Sequence, residues 1–420
     1  MDRIEVPTTA EVTGLSGADL DRALVELESA RRRLEAAYLA VVDRADATKR
    51  FDHDGHASVR GWALALTDAS PAETQRRLQT MRALRDLPSV AAALAAGTIG
   101  VEHARDIARL HANPRVRELA VEGDDVLVDH ARRGYARLSE VLQRWVQFGD
   151  PGGAERRHDR AHRDRDAHVF ERDGVVHLRA RCGTVQGATV LEAFARQCDA
   201  EFLADWDTAR HLHGDDAHPG LLERTDAQRR MDALLHMVER ALSAPPGATP
   251  PEPVVDYVIT AAEYDAALVQ MRTGARPPAA TVDDIDTRRC ETSTGLPISA
   301  RDVVIASLVG TIRRVVVDDT GRVIDLGRRR RFTGASRDAV LLGDGRRCIW
   351  PGCGRDTHRN QIDHTHEHAH GGRTRPDNGG PACGRHNRLK SRGYSAHRDA
   401  HGIWHILRPD GTELTDPAAA

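Results

Sequence analysis

Residues 348–390 read CIWPGCGRDTHRNQIDHTHEHAHGGRTRPDNGGPACGRHNRLK. Two ligand sets of different chemistry separate within this stretch. Cys348-x4-Cys353 and Cys383-x2-His386 offer three thiolates and an imidazole in two knuckles, soft donors at zinc-like spacing that can close a tetrahedral site. Pro351 and Gly352 turn the chain sharply between the first two cysteines. Small core cysteines can also fall this close together, but the second pair downstream favours a metal site, with zinc as its occupant.

The other set is Asp363, His364, Asn378 and Asn387. Side-chain oxygens with a histidine suit a hard ion such as Mg2+ or Mn2+, which keeps several waters and contacts phosphate. Phosphodiester hydrolysis requires that combination. Asn387 follows His386 directly, and consecutive helical residues diverge by about 100°. A short helix over residues 384–391 could therefore give one side chain to zinc and the next to the second ion. His364, His366, His368 and His370 alternate and would share one face of an undistorted strand. The last three are expected to face solvent or lie near phosphate.

The surrounding chain sets the context. At 420 residues it should hold two or three domains, with a composition (40% hydrophobic, 4% aromatic, 29% charged) that suits helices rich in Ala, Leu, Arg and Glu. Six cysteines are too few for a disulfide scaffold. Cys182, Cys198 and Cys290 read as core residues. The N-terminus has no basic stretch leading into an apolar segment, and no run approaches membrane-spanning length, so a cytoplasmic protein with no membrane partner is expected. Formal net charge is −3, yet residues 327–398 hold 16 Lys or Arg against 6 Asp or Glu, leaving −13 for the remainder. The C-terminal part alone looks built to meet a polyanion.

The fold class expected is multidomain and mainly α, with a mixed α+β middle. Residues 1–150 read as a helical domain. Leu20, Leu24, Leu27, Leu34, Tyr38 and Val41 recur at helical spacing behind a cap at Ser16 with Asp19, giving one long amphipathic helix. Ser70-Pro71-Ala72-Glu73 starts another, with Leu78, Met81 and Leu84 as its buried stripe. Residues 150–168 are polar, a solvated linker or an exposed helix. Residues 151–326 then read as mixed α+β: a hairpin over residues 168–182 turning at Asp173-Gly174, and a helix capped by Thr225 and Gln228 running through Met231, Leu235 and Val238. A proline-rich linker follows near residues 245–253, then strands at residues 254–260, 312–319 and 322–326. Residues 327–420 form the basic C-terminal module, ending in a hairpin.

The 347–390 segment resembles an HNH endonuclease motif of the zinc-stapled, ββα-metal kind: a DH pair on the first strand, a Gly-Gly turn, an Asn near the second strand, and the last ligand on a helix. The longer context resembles the actinobacterial 13E12-repeat family, whose members carry a helical domain of unknown function ahead of an HNH module. Its matching words are LPSVAAALAAGTIGVEHARDIARL (residues 87–110), DLGRRRRFTGASRDAVLLGDGRRCIWPGC (residues 325–353) and CGRHNRLK (residues 383–390). Asn387 stands where the motif's last His is expected, so the motif reads HNN. Asparagine still ligates through its side-chain oxygen, and the change shifts preference toward Mg2+.

The resemblance implies metal-dependent hydrolysis of DNA, with a structural Zn2+ on Cys348, Cys353, Cys383 and His386. Asp363 and Asn387 would hold a catalytic Mg2+ or Mn2+, His364 would be the general base, and Asn378 would hold the loop. Arg385, Arg388 and Lys390, on or beside the helix, and the run Arg328, Arg329, Arg330, Arg331 could neutralise phosphates without reading sequence. Such a run is otherwise a solvated face. The helical domain would serve positioning, regulation, a protein partner or self-association. Two rivals stand beside this reading: a zinc-stabilised DNA-binding protein with a decayed catalytic half, and an interaction scaffold carrying a nuclease appendage.

Overall fold

A computed structural model describes residues 7–245, 247, 257–275, 280–285, 288–292, 295–309, 337, 339–341, 347–353, 355, 361–366, 372–389, 392–399 and 402–414. Helices dominate, and the described sheets are separate two-stranded pairs. Two compact units emerge, one built on Met1–Gly153 with Pro278–Arg288, the other on Ala154–Pro277 and Arg289–Leu414. No described helix is long and apolar enough to cross a membrane.

In the first unit the long helix forms over Gly17–Ala47, with Ser16 extended at its N-cap. The buried face differs from the expected stripe. Leu20, Leu24, Leu34 and Val41 are exposed, while Ala30, Leu39, Val42 and Ala45 are buried. Ion pairs over long sequence separation account for the rotation. The Glu35 carboxylate accepts from Arg77 Nε and Nη2 at 2.9 Å each and from Arg105 at 3.3 Å. Arg85 reaches Asp43 at 2.6 Å and Asp46 at 2.7 Å. Residues 35, 39, 42 and 46 share one helix face, and it lies beside the line of leucines rather than on it.

The next helix, Pro71–Leu84, starts as its sequence requires. Ser70 Oγ accepts from Glu73 N at 3.2 Å and proline takes the first turn, where no backbone donor is needed. It buries Leu78 and Met81, with Leu84 half-buried. Helix Pro88–Ala95 has Leu87 at its N-cap, a side chain with no acceptor. The buried carboxylate of Asp124 substitutes, accepting from Ser89 N at 2.5 Å and Val90 N at 3.1 Å. With Val101–His111, Asp124–Arg132 and Tyr135–Gly149, these helices enclose Leu94, Ile107, Leu127, Leu138 and Trp145, all fully buried. Each such side chain contributes about 1.5–3 kcal/mol. Gly123 lets Trp145 come close: a Cβ there would intrude on the indole and lie 2.9 Å from Val282 Cγ1.

The polar stretch after residue 150 is helical over Pro151–Arg163, most of it in the second unit. Strands β1 (Asp166–Arg172) and β2 (Val175–Arg181) pair in the expected hairpin register, Phe170 opposite His177. Asp173 and Gly174 both take positive φ (54° and 73°), as a two-residue hairpin turn demands. Cys182, expected in a core, is exposed just after a strand that is itself exposed along its length, whereas Cys198 and Cys290 are buried.

Helix Asp226–Ser243 carries the expected capping box, Thr225 N donating to Gln228 Oε1 at 2.7 Å and Gln228 N to Thr225 Oγ1 at 3.3 Å. It packs on helix Thr184–His213 through Arg229 and Ala233, and it runs through Met231, Leu235 and Val238 as expected, with those three side chains exposed. Charge fills the contact. Arg224 joins Glu201 at 3.0 Å and Asp232 at 2.7 Å, and Arg229 joins Asp205 at 3.2 Å. Burial works against the Glu201 charge, but hydrogen bonds from His236, Gln197 and Arg224 override it and hold its pKa at about 2.

Further on, β3 (Tyr257–Ile259) pairs with β4 (Cys290–Thr292), beside helices Ala261–Thr273 and Ala300–Val309. Then come β5 (Gln361–His364) with β6 (Gly379–Ala382), the short helix Gly384–Asn387, and a hairpin of β7 (Ser395–Arg398) and β8 (Trp404–Leu407). The strands expected at residues 312–319 and 322–326, most of the proline-rich linker, Arg328, Arg329, Arg330, Arg331, His368, His370 and Lys390 lie outside the described residues.

Candidate functional site

Sequence order brings four soft donors together. Cys348 and Cys353 flank a turn closed by Cys353 N donating to Trp350 O at 3.0 Å, with Gly352 at φ 68°, a conformation that glycine adopts without strain. Ile349 N donates to Pro381 O at 2.9 Å, fixing this knuckle to β6. Cys383 is the N-cap of helix Gly384–Asn387, and His386 sits within that helix. Consequently Cys348 Sγ, Cys353 Sγ, Cys383 Sγ and a His386 ring nitrogen all lie within 4.8 Å of one another. His386 Nδ1 is 3.2 Å from both Cys348 Sγ and Cys383 Sγ. The Trp350 ring stacks on the imidazole, centroids 4.5 Å apart and planes 6° from parallel, which sets its orientation.

The environments of His386 and Cys383 favour the deprotonated forms that ligate a metal, whereas burial opposes a thiolate at Cys348. Burial lowers the His386 pKa, aided by the positive charges of Arg385 and Arg355, so the imidazole is neutral and able to donate a lone pair. Burial pushes the Cys348 thiol up to about 12. It acts the same way on Cys383, but the backbone N–H groups of His386 and Arg385 outweigh it and hold that thiol below its ordinary range. Three sulfurs and one nitrogen in this arrangement could hold a structural metal such as zinc.

A cleft opens beside the cluster. Asp363 of β5 and Asn387 at the end of the short helix both line it, with Thr365, Trp350, Tyr394 and Ile406 among the walls. Two of the four oxygen-set residues are thus brought together across 24 positions of sequence. His364 goes elsewhere: adjacent strand residues face opposite sides, and its imidazole is 9% exposed, with Nε2 2.8 Å from Thr374 Oγ1. Its backbone N donates to Asp363 Oδ1 at 2.9 Å.

Asn378 ties down the loop after β5. Its Oδ1 accepts from Thr365 Oγ1 at 2.6 Å and His366 N at 2.7 Å, and its Nδ2 donates to His366 O at 3.0 Å and Arg373 O at 2.8 Å. Arg385 and Arg388 are exposed, as are Arg373, Arg375 and His366. Thr374 and Trp350 escaped the sequence reading. Neither has a motif signal: a threonine ten residues after a histidine and a tryptophan between two cysteines acquire roles only through the fold.

These features define a mainly helical protein whose C-terminal part carries a Cys3His cluster able to hold a structural metal. The chain belongs to the DUF222 family: the family described as Domain of unknown function (DUF222) matches residues 21–342 and ends ahead of Cys348. No curated protein and no solved structure gives a significant match.

Proposed function

We propose that residues 347–390 act as an HNH-type, metal-dependent endonuclease module that hydrolyses DNA phosphodiester bonds, with the DUF222 region positioning or regulating it. The observation that carries this reading is the cleft shared by Asp363 and Asn387, next to a closed soft-donor cluster. Hard oxygen donors on one side and soft donors on the other divide two metal roles by chemistry. Domains of this family often occur together with HNH modules.

Asp363 and Asn387 would hold Mg2+ or Mn2+, which supplies Lewis acidity toward a phosphate oxygen. For His364 to take the proton of the attacking water as the new O–P bond forms and the P–O3′ bond breaks, its imidazole would have to turn from Thr374 toward the cleft, with solvent protonating the departing 3′-oxygen. Asn378 keeps the loop after β5 in place. Arg385 and Arg388, with Arg373 and Arg375, offer positive charge to the backbone.

A second reading has its own support. The buried His364 bonded to Thr374, together with Asn387 in place of a histidine, suits a zinc-stabilised DNA-binding protein that does not cleave. Supercoiled plasmid with the full chain and Mg2+ or Mn2+ separates the two. Nicking that disappears with EDTA and in His364→Ala and Asp363→Ala supports the nuclease. DNA retention with no cleavage in either ion, at full zinc content, rejects it in favour of the second reading.

A further inference from the structure

The terminal hairpin carries a histidine that neither ligand set uses. His405 lies on β8 opposite His397 of β7, whose ring stacks on it with centroids 4.9 Å apart and planes 14° from parallel. Carboxylates stand at both of its ring nitrogens: Nδ1 is 2.6 Å from Glu413 Oε1, and Nε2 is 3.5 Å from Asp399 Oδ2. An ionised carboxylate only accepts, and a neutral imidazole has one N–H to give. The imidazolium alone serves both partners. Accordingly the hydrogen bond to Glu413 raises the His405 pKa above its ordinary 6.5, against burial and with help from Asp399. Nearby Arg398 and Arg408 bind backbone carbonyls, Gly402 O at 3.0 Å and Glu413 O at 2.8 Å.

Glu413 belongs to a tail that folds back on β8. The chain reverses at Pro409-Asp410-Gly411, where Gly411 takes φ 81° and Asp410 Oδ1 accepts from Thr412 N at 2.9 Å. Arg408 N then donates to Thr412 O, and Leu414 N to Ile406 O, each at 2.8 Å. Ile406 is 1% exposed and lines the cleft that Asp363 and Asn387 share. One residue of β8 thus faces the cleft while its carbonyl anchors the tail. Strands this short are marginal by themselves, so the side-chain pairing at His405 weighs on whether the tail stays down.

We propose that His405, Asp399 and Glu413 form a pH-sensitive latch that holds the tail on β8, and with it one wall of the cleft, closed in mild acid and released in mild alkali. The sign follows from linkage. A folded-state pKa raised above the unfolded value gives a contribution that is complete below 6.5 and lost as pH rises through the higher folded value. Past that point two carboxylates share a single N–H donor. At the acid end, near pH ~4, the carboxylates themselves take up protons and the latch is lost again. The side chains of His405 and Glu413 are 28% and 53% exposed, so solvent screens the pair and the opening equilibrium moves only ~two- to fivefold. The latch is a property of the hairpin and is independent of the nuclease reading.

Hydrogen exchange on the full chain, read by mass spectrometry and corrected for the intrinsic rate at each pH, tests it. Protection of residues 404–414 should fall ~two- to fivefold between about pH 6.5 and pH 8.5 in the wild type, while helix Asp124–Arg132 stays unchanged. In His405→Gln, which cannot titrate, tail protection should be flat across that range. Should that variant lose the hairpin altogether, Glu413→Gln serves: it keeps the side chain's shape and removes its charge, so the fall should shrink. Carbon-13 labelling of the histidine rings gives a second readout. The His405 signal, assigned by its absence in His405→Gln, should titrate above 6.5 and move toward 6.5 in Glu413→Gln. A midpoint at or below 6.5, or a fall in protection that is the same in wild type and Glu413→Gln, overturns the proposal.

Discussion

Glu201→Gln tests the ionic interior where its energy can be worked out. The amide keeps an acceptor for Gln197 Nε2, now 2.9 Å from Glu201 Oε1, and removes the charge that meets Arg224 at 3.0 Å. Burial opposes that charge, yet the hydrogen bonds of His236, Gln197 and Arg224 bring the pKa from 4.5 to about 2. A folded-state pKa below the unfolded one stabilises at high pH. The contribution is complete above the unfolded value of 4.5 and is lost as pH falls through 2. The difference corresponds to about 3 kcal/mol before solvent screening and to roughly 1–2 kcal/mol after it, and more than half of that is already gone at pH 3. Urea unfolding followed by far-UV circular dichroism should therefore separate wild type and variant by roughly 1–2 kcal/mol at pH 7 and pH 5, and by less than half of that at pH 3. A gap of equal size at pH 7 and pH 3 would refute the electrostatic account and leave packing as the cause.

Further substitutions probe the metal cluster and the helical core. Cys348→Ser should abolish bound zinc, measured by mass spectrometry of the purified chain, and open residues 348–414 to protease while the first unit keeps its helicity; unchanged zinc stoichiometry rejects the ligand set. Gly123→Ala forces a methyl against the Trp145 ring and Val282, costing about 1–3 kcal/mol and shifting the tryptophan emission; a neutral result would mean that the helices part easily. Leu39→Ala should cost about 2–5 kcal/mol by leaving a cavity, while Leu34→Ala, exposed on the same helix, should stay within about 0.5 kcal/mol. Equal effects at 34 and 39 would restore the leucine stripe as the packed face.

Local chemistry was the legible part of this chain. Ser70 with Glu73, Thr225 with Gln228 and the Asp173-Gly174 turn all fold as their residue types dictate, because each involves groups within four positions of one another. The Cys3His set was legible for a related reason: soft donors in two short knuckles have few other uses. Helix faces were not. On Gly17–Ala47 and on Asp226–Ser243 an aliphatic line at heptad spacing reads equally as a core stripe or as a seam for another helix. The choice was made by Glu35 meeting Arg77 and Arg105 at separations of 42 and 70 residues, and by Glu201 meeting Arg224 at 23. Periodicity within one helix cannot register such pairs.

The cleft sets the same limit on the site. A DH pair in sequence reads as two groups acting together, but a strand sends neighbours to opposite sides, and here Asp363 enters the cleft while His364 meets Thr374. Thr374→Val turns that geometry into a discriminating prediction. It removes the hydroxyl 2.8 Å from His364 Nε2 without changing the shape of the side chain, leaving a buried imidazole nitrogen without this partner at a cost of about 1–3 kcal/mol. If Thr374 positions a working base, plasmid nicking should fall with little change in DNA affinity, and the acidic limb of its pH–rate profile should move. If the pair is only structural, thermal stability should drop while any cleavage keeps its pH profile. A variant that leaves the profile fixed would remove His364 from the chemistry and leave Asp363 and Asn387 to hold an ion with no base beside it.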